Sequence, residues 1–481
     1  MISKIADLAD RSIVIAGFGV EGRDLFRYLR RHFPDKDLGI AELRPLEELD
    51  PETRAMLRDD RHVRMHTGLD HLAHLGEYDV AFRSPGIPAR GRAFQEARAR
   101  GTHVTSQTEL FFALCRQRVV GITGTKGKST TSALVHGILT GHLRDVHLVG
   151  NIGPGLGGMS PLWALDHAGD DAIFVYELSS FQLEGLPVSP SVAVMLDVVP
   201  EHLDHHGSFD AYVDAKENIT RHQRATDWLV YDGDSASAAA VAERSPAQRA
   251  ACRTEGPVDT GCFIEGKFKI VYATNRIRDD IIELAEVTRV LPGPFNLRNV
   301  LPAVAVARIL GLDTEVIRRG IRGFQPLRDR FENLGTFKGI TFYNASIATV
   351  PEATIAHLTA LAPRVATVIL GGVDRGLSYE SLGRRIIDDR VNTVVLFPDT
   401  GLRVWEQIAV YGKARSRALP RRIDVTDMET AVREAYVFTP TGYICLHSPA
   451  APSRGGLFAD YADRGAQFRD WVQRLGRSDP S

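Results

Sequence analysis

Long apolar runs are the first thing this 481-residue chain lacks: none reaches the ~18 consecutive apolar residues that suggest a membrane-spanning helix. The opening Met1-Ile2-Ser3-Lys4-Ile5-Ala6-Asp7 carries no sustained apolar segment of the secretory kind. The expectation is a cytoplasmic protein without membrane insertion. Cysteine is scarce. Cys115, Cys252, Cys262 and Cys445 form no C-x-x-C pair, which argues against a disulfide framework and structural zinc. Excess charge of one sign is also missing, since 58 Lys+Arg face 60 Asp+Glu for a net charge of -2. No whole-chain field therefore draws in nucleic acid or an anionic membrane, and the arginines between Arg90 and Arg100 read as a solvated helix face. Internal repeats and low-complexity linkers are absent. What is present, 44% apolar and 25% charged residues, describes a globular chain of about three domains at roughly 100–200 residues each.

The most informative stretch is Gly121-Ile122-Thr123-Gly124-Thr125-Lys126-Gly127-Lys128-Ser129-Thr130-Thr131. Val119 to Ile122 reads as the end of a buried strand and Thr131 to Thr140 as a helix. Between them the glycines let backbone N–H groups approach phosphates, Lys128 can reach the β/γ-phosphates, and the Ser129 hydroxyl can sit on Mg²⁺. The strict pattern wants glycine where Ile122 stands, so this is a variant of the motif. The bland reading is a Gly/Ser/Thr turn ahead of a helix, but the strand–turn–helix context favours ATP.

Upstream, Ser12 to Gly22 reads as a strand entering G-x-G-x-x-G at Gly17, Gly19 and Gly22, followed by a helix from about Arg23 to Arg31. A strand from Leu38 to Ala41 ends at Glu42, where a dinucleotide fold places its ribose-binding acid. Taken alone, this suggests NAD. A further strand, Tyr78 to Phe82, leads into Ser84-Pro85-Gly86-Ile87-Pro88. Short apolar strands at Ala172 to Tyr176 and Val192 to Leu196, alternating with helices, argue for a doubly wound α/β layer. A helix is expected from Ala236 to Arg244, a hairpin around Gly266, and a helix within Gly293 to Leu312. A third α/β unit begins near Pro326, with strands at 340–343, 366–370, 393–397 and 443–446.

Three further clusters turn ATP binding into a reaction. Glu177 in Glu-Leu-Ser-Ser-Phe-Gln-Leu-Glu follows a buried strand, at the carboxyl end where α/β ligands sit, and a carboxylate there can hold Mg²⁺. Pro200-Glu201-His202-Leu203-Asp204-His205-His206 follows the next strand, and Lys216 lies on the expected helix after it. Each has a bland alternative: a helix N-terminal acid, a solvated loop, a surface lysine. Together, beside one phosphate loop, they read as a site.

The chain resembles the Mur ligases, and within them the MurD type that adds glutamate to UDP-N-acetylmuramoyl-L-alanine. The matching segments are GITGTKGKSTT at 121–131, GNIG at 150–153, ELSSFQLE at 177–184, EHLDHHGSFDAYVDAKENI at 201–219, LPGPFNLRN at 291–299, GGVDRG at 371–376, HSPAAPSRGG at 447–456 and DYADRGAQF at 460–468. The resemblance implies three α/β domains: a Rossmann-like UDP-binding one over 1–108, a central P-loop ATPase-type one over 109–325, and a Rossmann-like one over 326–481 that brings the amino acid and closes over ATP. It implies ATP contacts at Gly124, Thr125, Lys126, Gly127, Lys128, Ser129, Thr130, Asn299 and Arg330. The catalytic set it implies is Lys128, Glu177, His202 and Lys216. Two Mg²⁺ ions would draw on Ser129, Glu177, His202 and a carbamylated Lys216. The UDP-sugar would be met by Gly19, Val20, Glu42, Arg44, Ser84, Pro85, Gly86, Asn151, Ser179 and Gln182, and the amino acid by Thr349, Arg375, Ser448 and Arg454. The expected chemistry is an acyl phosphate made from ATP and then attacked by the amine of glutamate, in a monomer.

Two segments depart from the family pattern. Where the family carries a motif close to N-D-S-K-A-T-N, this chain has Asn344-Ala345-Ser346-Ile347-Ala348-Thr349-Val350, losing an acid and a lysine. The segment after Ser448-Pro449-Ala450 is also altered, with an apparent one-residue insertion before Phe458. By the resemblance, the lost acid would have held ATP, whereas the lost lysine and the altered segment fall on the amino-acid pocket, a pattern similar to the variant branch that adds L-glutamate. The rival readings are the D-glutamate enzyme, a folylpolyglutamate-synthase-like ligase, a non-catalytic nucleotide-binding regulator, and an NAD oxidoreductase resting on the first glycine turn alone.

Overall fold

A computed structural model describes residues 2–453 and 455–477. Three sheets organise it. The first has five parallel strands in the spatial order Val63–Thr67, Leu38–Glu42, Ile13–Ala16, Val80–Arg83, His103–Thr105. Ile13–Ala16 is a continuous buried apolar run, as a central parallel strand covered on both faces requires. It reverses into the helix Val20–His32, three residues earlier than the sequence suggests, because Gly19 serves as the N-cap. Arg30, Arg31 and His32 in its last turn complement the helix dipole.

The second sheet has nine strands. At its heart Arg118–Thr123 lies between Ile173–Glu177 and Val192–Met195, with Val146–Gly150 beyond the former and Trp228–Asp232 beyond the latter. Outward from Trp228–Asp232 come Gln248–Arg253, Gly261–Glu265, Lys269–Ala273 and Arg278–Glu283. The expected hairpin is Gly261–Glu265 against Lys269–Ala273, antiparallel, turned by Gly266 and Lys267 at φ 58° and 62°. The expected alanine-rich helix runs Ala236–Arg244. Cys252 and Cys262 pair in register on neighbouring strands and both are buried free thiols.

The third sheet runs Glu332–Phe337, Ile340–Asn344, Ile444–His447, Val365–Leu370, Thr393–Leu396, Arg421–Asp424. Only the first pair is antiparallel. The chain forms two compact units. One comprises the residues up to Leu284 together with Arg298–Ile321, and so holds the first two sheets; the other comprises Ala285–Leu297 and the residues from Arg322 onward. Among the described residues, no helix is long and apolar enough to cross a membrane.

Candidate active site

In each sheet most of the sequence-derived residues fall at the carboxyl ends of adjacent strands, which is where open α/β sheets bind ligands; Lys216 and Asn299 lie instead on helices and Arg330 before a strand. The phosphate loop follows Arg118–Thr123 and ends in the helix Lys128–Thr140, capped by Gly127 at φ 84°. That helix begins three residues before its apolar pattern does. A side chain at Gly127 would collide with the Asn299 amide oxygen, and one at Gly124 (φ 151°) would lie 2.6 Å from the Leu196 Cβ. Only glycine fits either position. The loop is anchored to the neighbouring strand end: Thr125 N–H donates to the Asp197 carbonyl at 2.7 Å, and the Thr125 hydroxyl donates to the Val199 carbonyl at 3.0 Å and accepts the Val199 N–H at 3.0 Å. The Tyr212 hydroxyl lies 3.1 Å from the same oxygen.

Two lysines converge on one carbonyl. Lys128 Nζ donates to the Gly124 oxygen at 2.9 Å and to the Thr125 oxygen at 3.0 Å, while Lys216 Nζ donates to the same Gly124 oxygen at 2.8 Å. Lys216 is buried on the helix Phe209–Arg221, its Nζ 4.7 Å from the centre of the Tyr212 ring. Burial, and then the Lys128 charge, hold its amine well below the usual lysine range, because both disfavour the charged form. Lys126 turns outward to Glu201, at 2.8 and 2.9 Å.

Glu177 ends the strand Ile173–Glu177 and is 1% exposed. Its Oε1 accepts from Asn151 Nδ2 at 2.9 Å, whereas Oε2 is buried without a hydrogen-bond partner. A carboxylate oxygen in that condition is costly unless a cation meets it, so its chemistry fits a hard, oxygen-preferring ion such as Mg²⁺. Ser129 is buried at the start of the phosphate-loop helix and Thr130 follows it, partly exposed. His202 is exposed, in the left-handed region at φ 56°, its ring 4.9 Å from that of Phe181. Among the described residues no three His, Cys, Asp or Glu side chains cluster as a protein-only metal cage.

Ser179 and Gln182 form a capping box on the short helix Ser180–Leu183. Gln182 Oε1 accepts from the Ser179 N–H and hydroxyl at 2.8 and 3.0 Å, and Gln182 Nε2 donates to Glu21 at 2.7 Å. Glu21 is pushed up to about 7 by burial, against the lowering effect of Gln182 and Arg83. In the first sheet, the Phe18 N–H donates to Glu42 at 2.9 Å, Arg44 donates to it from backbone and side chain at 3.3 Å, and the Ser84 hydroxyl donates to the Gly17 carbonyl at 2.6 Å. Burial would raise the Glu42 carboxyl, but these N–H groups carry it below its ordinary value. Val20, Pro85 and Gly86 stand partly or fully exposed around the same strand ends.

In the second unit Ser448 is fully buried, its hydroxyl bonded to Thr354 at 2.9 Å and to His357 at 3.0 Å. Arg375 is exposed, Thr349 half-buried, and Arg330 sits in the loop before Glu332–Phe337. Arg454 lies outside the described residues. Ala345, where the family pattern has an acid, is 0% exposed within an apolar cluster with Leu358, Val368 and Leu446. Sequence reading missed Tyr212, Arg83 and Arg464. Arg83 is 6% exposed and donates to the carbonyls of Pro85, Ile87, Phe181 and Glu184 at 2.7 to 3.3 Å. Its only signal was its place just before Ser84-Pro85-Gly86.

A strand-end phosphate loop with a lysine at its helix start and a buried acid one strand away defines a nucleoside-triphosphate-dependent enzyme. Residues 122–307 match the Mur ligase middle domain. The chain is 30% identical over 472 residues to the UDP-N-acetylmuramoylalanine–D-glutamate ligase of Acetivibrio thermocellus, covering 97% of each. It is 32% identical over 488 residues to the UDP-N-acetylmuramoyl-L-alanine–L-glutamate ligase of a Micromonospora species, covering 98% of each. The fold is shared with MurF of Acinetobacter baumannii at a TM-score of 0.61, 16% identity, and coverage of 96% of this chain and 93% of that one. It is also shared with MurC of Thermotoga maritima at 0.58, 16% identity, and coverage of 98% and 100%. The chain belongs to the Mur ligase family, among its MurD-type members. It is therefore an ATP-dependent, amide-bond-forming ligase of peptidoglycan precursor synthesis, and the NAD reading of the first glycine turn falls away.

Proposed function

We propose that this chain joins L-glutamate to UDP-N-acetylmuramoyl-L-alanine through an acyl phosphate. The observation that carries the ligase chemistry is the meeting of Lys128 and Lys216 on the Gly124 carbonyl, in the same strand-end site as the partnerless Glu177 Oε2. The L-alanyl carboxylate oxygen attacks the γ-phosphorus of ATP, the bond to the β-bridging oxygen breaks, and ADP leaves. The amine of glutamate then attacks the acyl carbon; the C–O bond breaks, phosphate departs with its electron pair, and the amine loses a proton. Lys128 neutralises charge on the transferring oxygens, and the loop N–H groups fix the phosphates. Glu177, Ser129 and His202 are the residues that would hold Mg²⁺, which supplies Lewis-acid stabilisation of phosphoryl oxygens. Lys216, buried and with its charged form disfavoured, is suited to take up CO₂ as a carbamate and so present oxygen to the same ion. Glu42, Arg44, Val20 and Ser84 to Gly86 would face the UDP group, and Asn151, Ser179 and Gln182 the sugar side. Asn299 and Arg330 would contact ATP.

The choice of L-glutamate rests on the amino-acid pocket. Ile347 stands where the family pattern has a lysine, and the segment between Ala450 and Phe458 carries an apparent one-residue insertion against that pattern. Inverting the α-carbon exchanges two substituents, so a pocket holding both carboxylates and the amine must move at least one anchor. Similarity to the Micromonospora L-glutamate ligase supports this reading, although relatives named for D-glutamate are equally extensive. The test is phosphate release with ATP, Mg²⁺ and UDP-N-acetylmuramoyl-L-alanine, given pure L- or pure D-glutamate in parallel. Product from D-glutamate alone overturns the stereochemistry. No release with either, from folded protein, favours the regulatory reading.

A further inference from the structure

The largest fully buried side chain in the described protein is a cation. Arg464, on the helix Tyr461–Arg477, is 0% exposed. Its Nε donates to the Ser346 hydroxyl at 3.1 Å, Nη2 to the Ser346 carbonyl at 2.8 Å and the Ala451 carbonyl at 3.1 Å, and Nη1 to the Gly371 carbonyl at 3.5 Å. Those acceptors belong to three loops, each leaving the carboxyl end of one of three neighbouring strands: Ile340–Asn344, Val365–Leu370 and Ile444–His447. The loops are also tied to one another. The Gly371 N–H donates to the Pro449 carbonyl at 2.9 Å, the Val373 N–H to the Pro452 carbonyl at 2.8 Å, and the Ala345 N–H to the His447 carbonyl at 2.8 Å. Gly372 leaves room for the guanidinium, since a side chain there would stand 3.1 Å from Nη1.

Every recorded partner of Arg464 is neutral. Among the described residues no carboxylate pairs with it, while nearby Arg469 has two, Asp329 and Glu332 at 3.0 and 2.8 Å. The neighbouring titratable group is His447, buried and held neutral by desolvation and by the Arg464 charge. A fully buried, uncompensated guanidinium is costly for folding alone, and an apolar side chain with a few hydroxyl bridges could tie the loops more cheaply. The cost makes sense if an anion completes the charge balance when the site is filled. In a medium of low dielectric, a fixed cation acts over the thickness of a loop. Ile347 carries no charge on the same loop, so this buried cation does not duplicate a lysine there.

We propose that Arg464 is the positioning residue of the amino-acid pocket: it holds the three strand-end loops together and supplies, from beneath them, the positive charge that selects a dianionic amino acid. This rests on the reading of the chain as a glutamate-adding ligase.

The test uses the full chain carrying Arg464→Gln, Arg464→Lys or Ser346→Ala, assayed with ATP and UDP-N-acetylmuramoyl-L-alanine. Glutamate is compared with glutamine, whose side chain is neutral. Arg464→Gln is expected to raise the KM for glutamate by about tenfold or more, the ratio that follows from losing ~1.4 kcal/mol. It should also erode the preference for glutamate over glutamine, and leave the KM for the UDP-sugar within about twofold, since those candidates lie in the first unit. Arg464→Lys keeps the charge and should recover most of the preference. Ser346→Ala keeps the cation and should keep the preference even if turnover falls, which decides the matter should the Arg464 variants fail to fold. A folded Arg464→Gln protein with unchanged KM and unchanged preference overturns the proposal. So does a Ser346→Ala protein that loses the preference as completely as Arg464→Gln. Should the wild type release phosphate with an amino acid other than glutamate, it is the substrate assignment that fails; the same variants are then scored on that amino acid and its neutral analogue.

Discussion

The phosphate loop of the first unit and the strand-end pocket of the second are both built where parallel strands stop, yet they handle charge in opposite ways. Around Gly124 two lysine amines are held on backbone carbonyls, and the neighbouring strand ends in a buried acid with one unpartnered oxygen. In the second unit the positions that carry charge in the family pattern are Ala345, sealed in the core, and Ile347, and among the described residues no carboxylate pairs with the buried cation Arg464. Phosphoryl transfer is the same reaction for every member of such a family, so its machinery tolerates little change. The departures from the family pattern at Ala345 and Ile347 lie in the second unit, not in the one that holds that loop.

The largest effect should come from the first region. Lys128→Ala is expected to cut ATP-dependent phosphate release by roughly 10²–10³ or more with the circular dichroism spectrum intact, since the side chain stabilises transferring charge and little packing. Near-normal turnover would remove the phosphate loop from the comparison altogether. Lys216→Ala should be inactive too, but partly restored by small carboxylic acids; an active enzyme whose intact mass shows Lys216 unmodified would argue for a different metal-side group.

A second pair of predictions sets the two units against each other in pH. Glu21, in the first unit, has its folded value raised to about 7, so the native state keeps a proton that the unfolded chain loses near 4.5. Its contribution to stability falls as pH rises from 4.5 to 7, by up to about 3 kcal/mol. Glu21→Gln should therefore stabilise the first unit at pH 8 and change little at pH 4. His357, in the second unit, is lowered to about 3 by burial and stacks on Phe331 at 4.4 Å. Its neutral form supports folding above 6.5, and that support, about 5 kcal/mol, is lost as pH falls toward 3. Hydrogen exchange followed peptide by peptide should show the second unit loosening first between pH 6 and 4. If both units loosen together, the contrast is lost. The smallest effect is expected from Arg375→Ala: an exposed guanidinium contributes at most about 1 kcal/mol, so the KM for glutamate should rise no more than about fivefold, below the change at Arg464.

Lys216, inside the helix Phe209–Arg221, was singled out only by resemblance, whereas the phosphate loop and Glu177 were legible because each sits in a local pattern, a glycine turn or an acid directly after a buried apolar strand. Central strands such as Val192–Met195 and Val365–Leu370 were legible for the same reason. Edge strands were not: Val63–Thr67 and Arg421–Asp424 are polar and partly exposed, so neither alternation nor an apolar run marks them. Glu332–Phe337 earns its place by antiparallel pairing with Ile340–Asn344 across Lys338 and Gly339 at φ 49° and 77°, a turn whose first residue is not the asparagine, aspartate or glycine that usually marks it. Arg83 and Arg464 could not be found by spacing, because their acceptors are backbone carbonyls, in Arg464's case on loops up to 118 residues away. Any sequence supplies a carbonyl; only the fold decides which ones converge.

The chain passes from one compact unit to the other and back before Arg322, and this governs how the gene can be dissected. A fragment that begins at 326 looks like a tidy C-terminal domain but leaves behind Phe295, whose ring lies 5.6 Å from both Phe331 and His357. It also leaves behind Gly293, packed against Ala360 so closely that a methyl group there would lie 2.7 Å from the Ala360 Cβ. Such a fragment would present a bare aromatic face to water and tend to self-associate. A soluble excised version would need Ala285–Leu297 grafted back, for instance through a short glycine-serine bridge from Leu297 to Arg322, making this second unit a discontinuous module in the engineering sense.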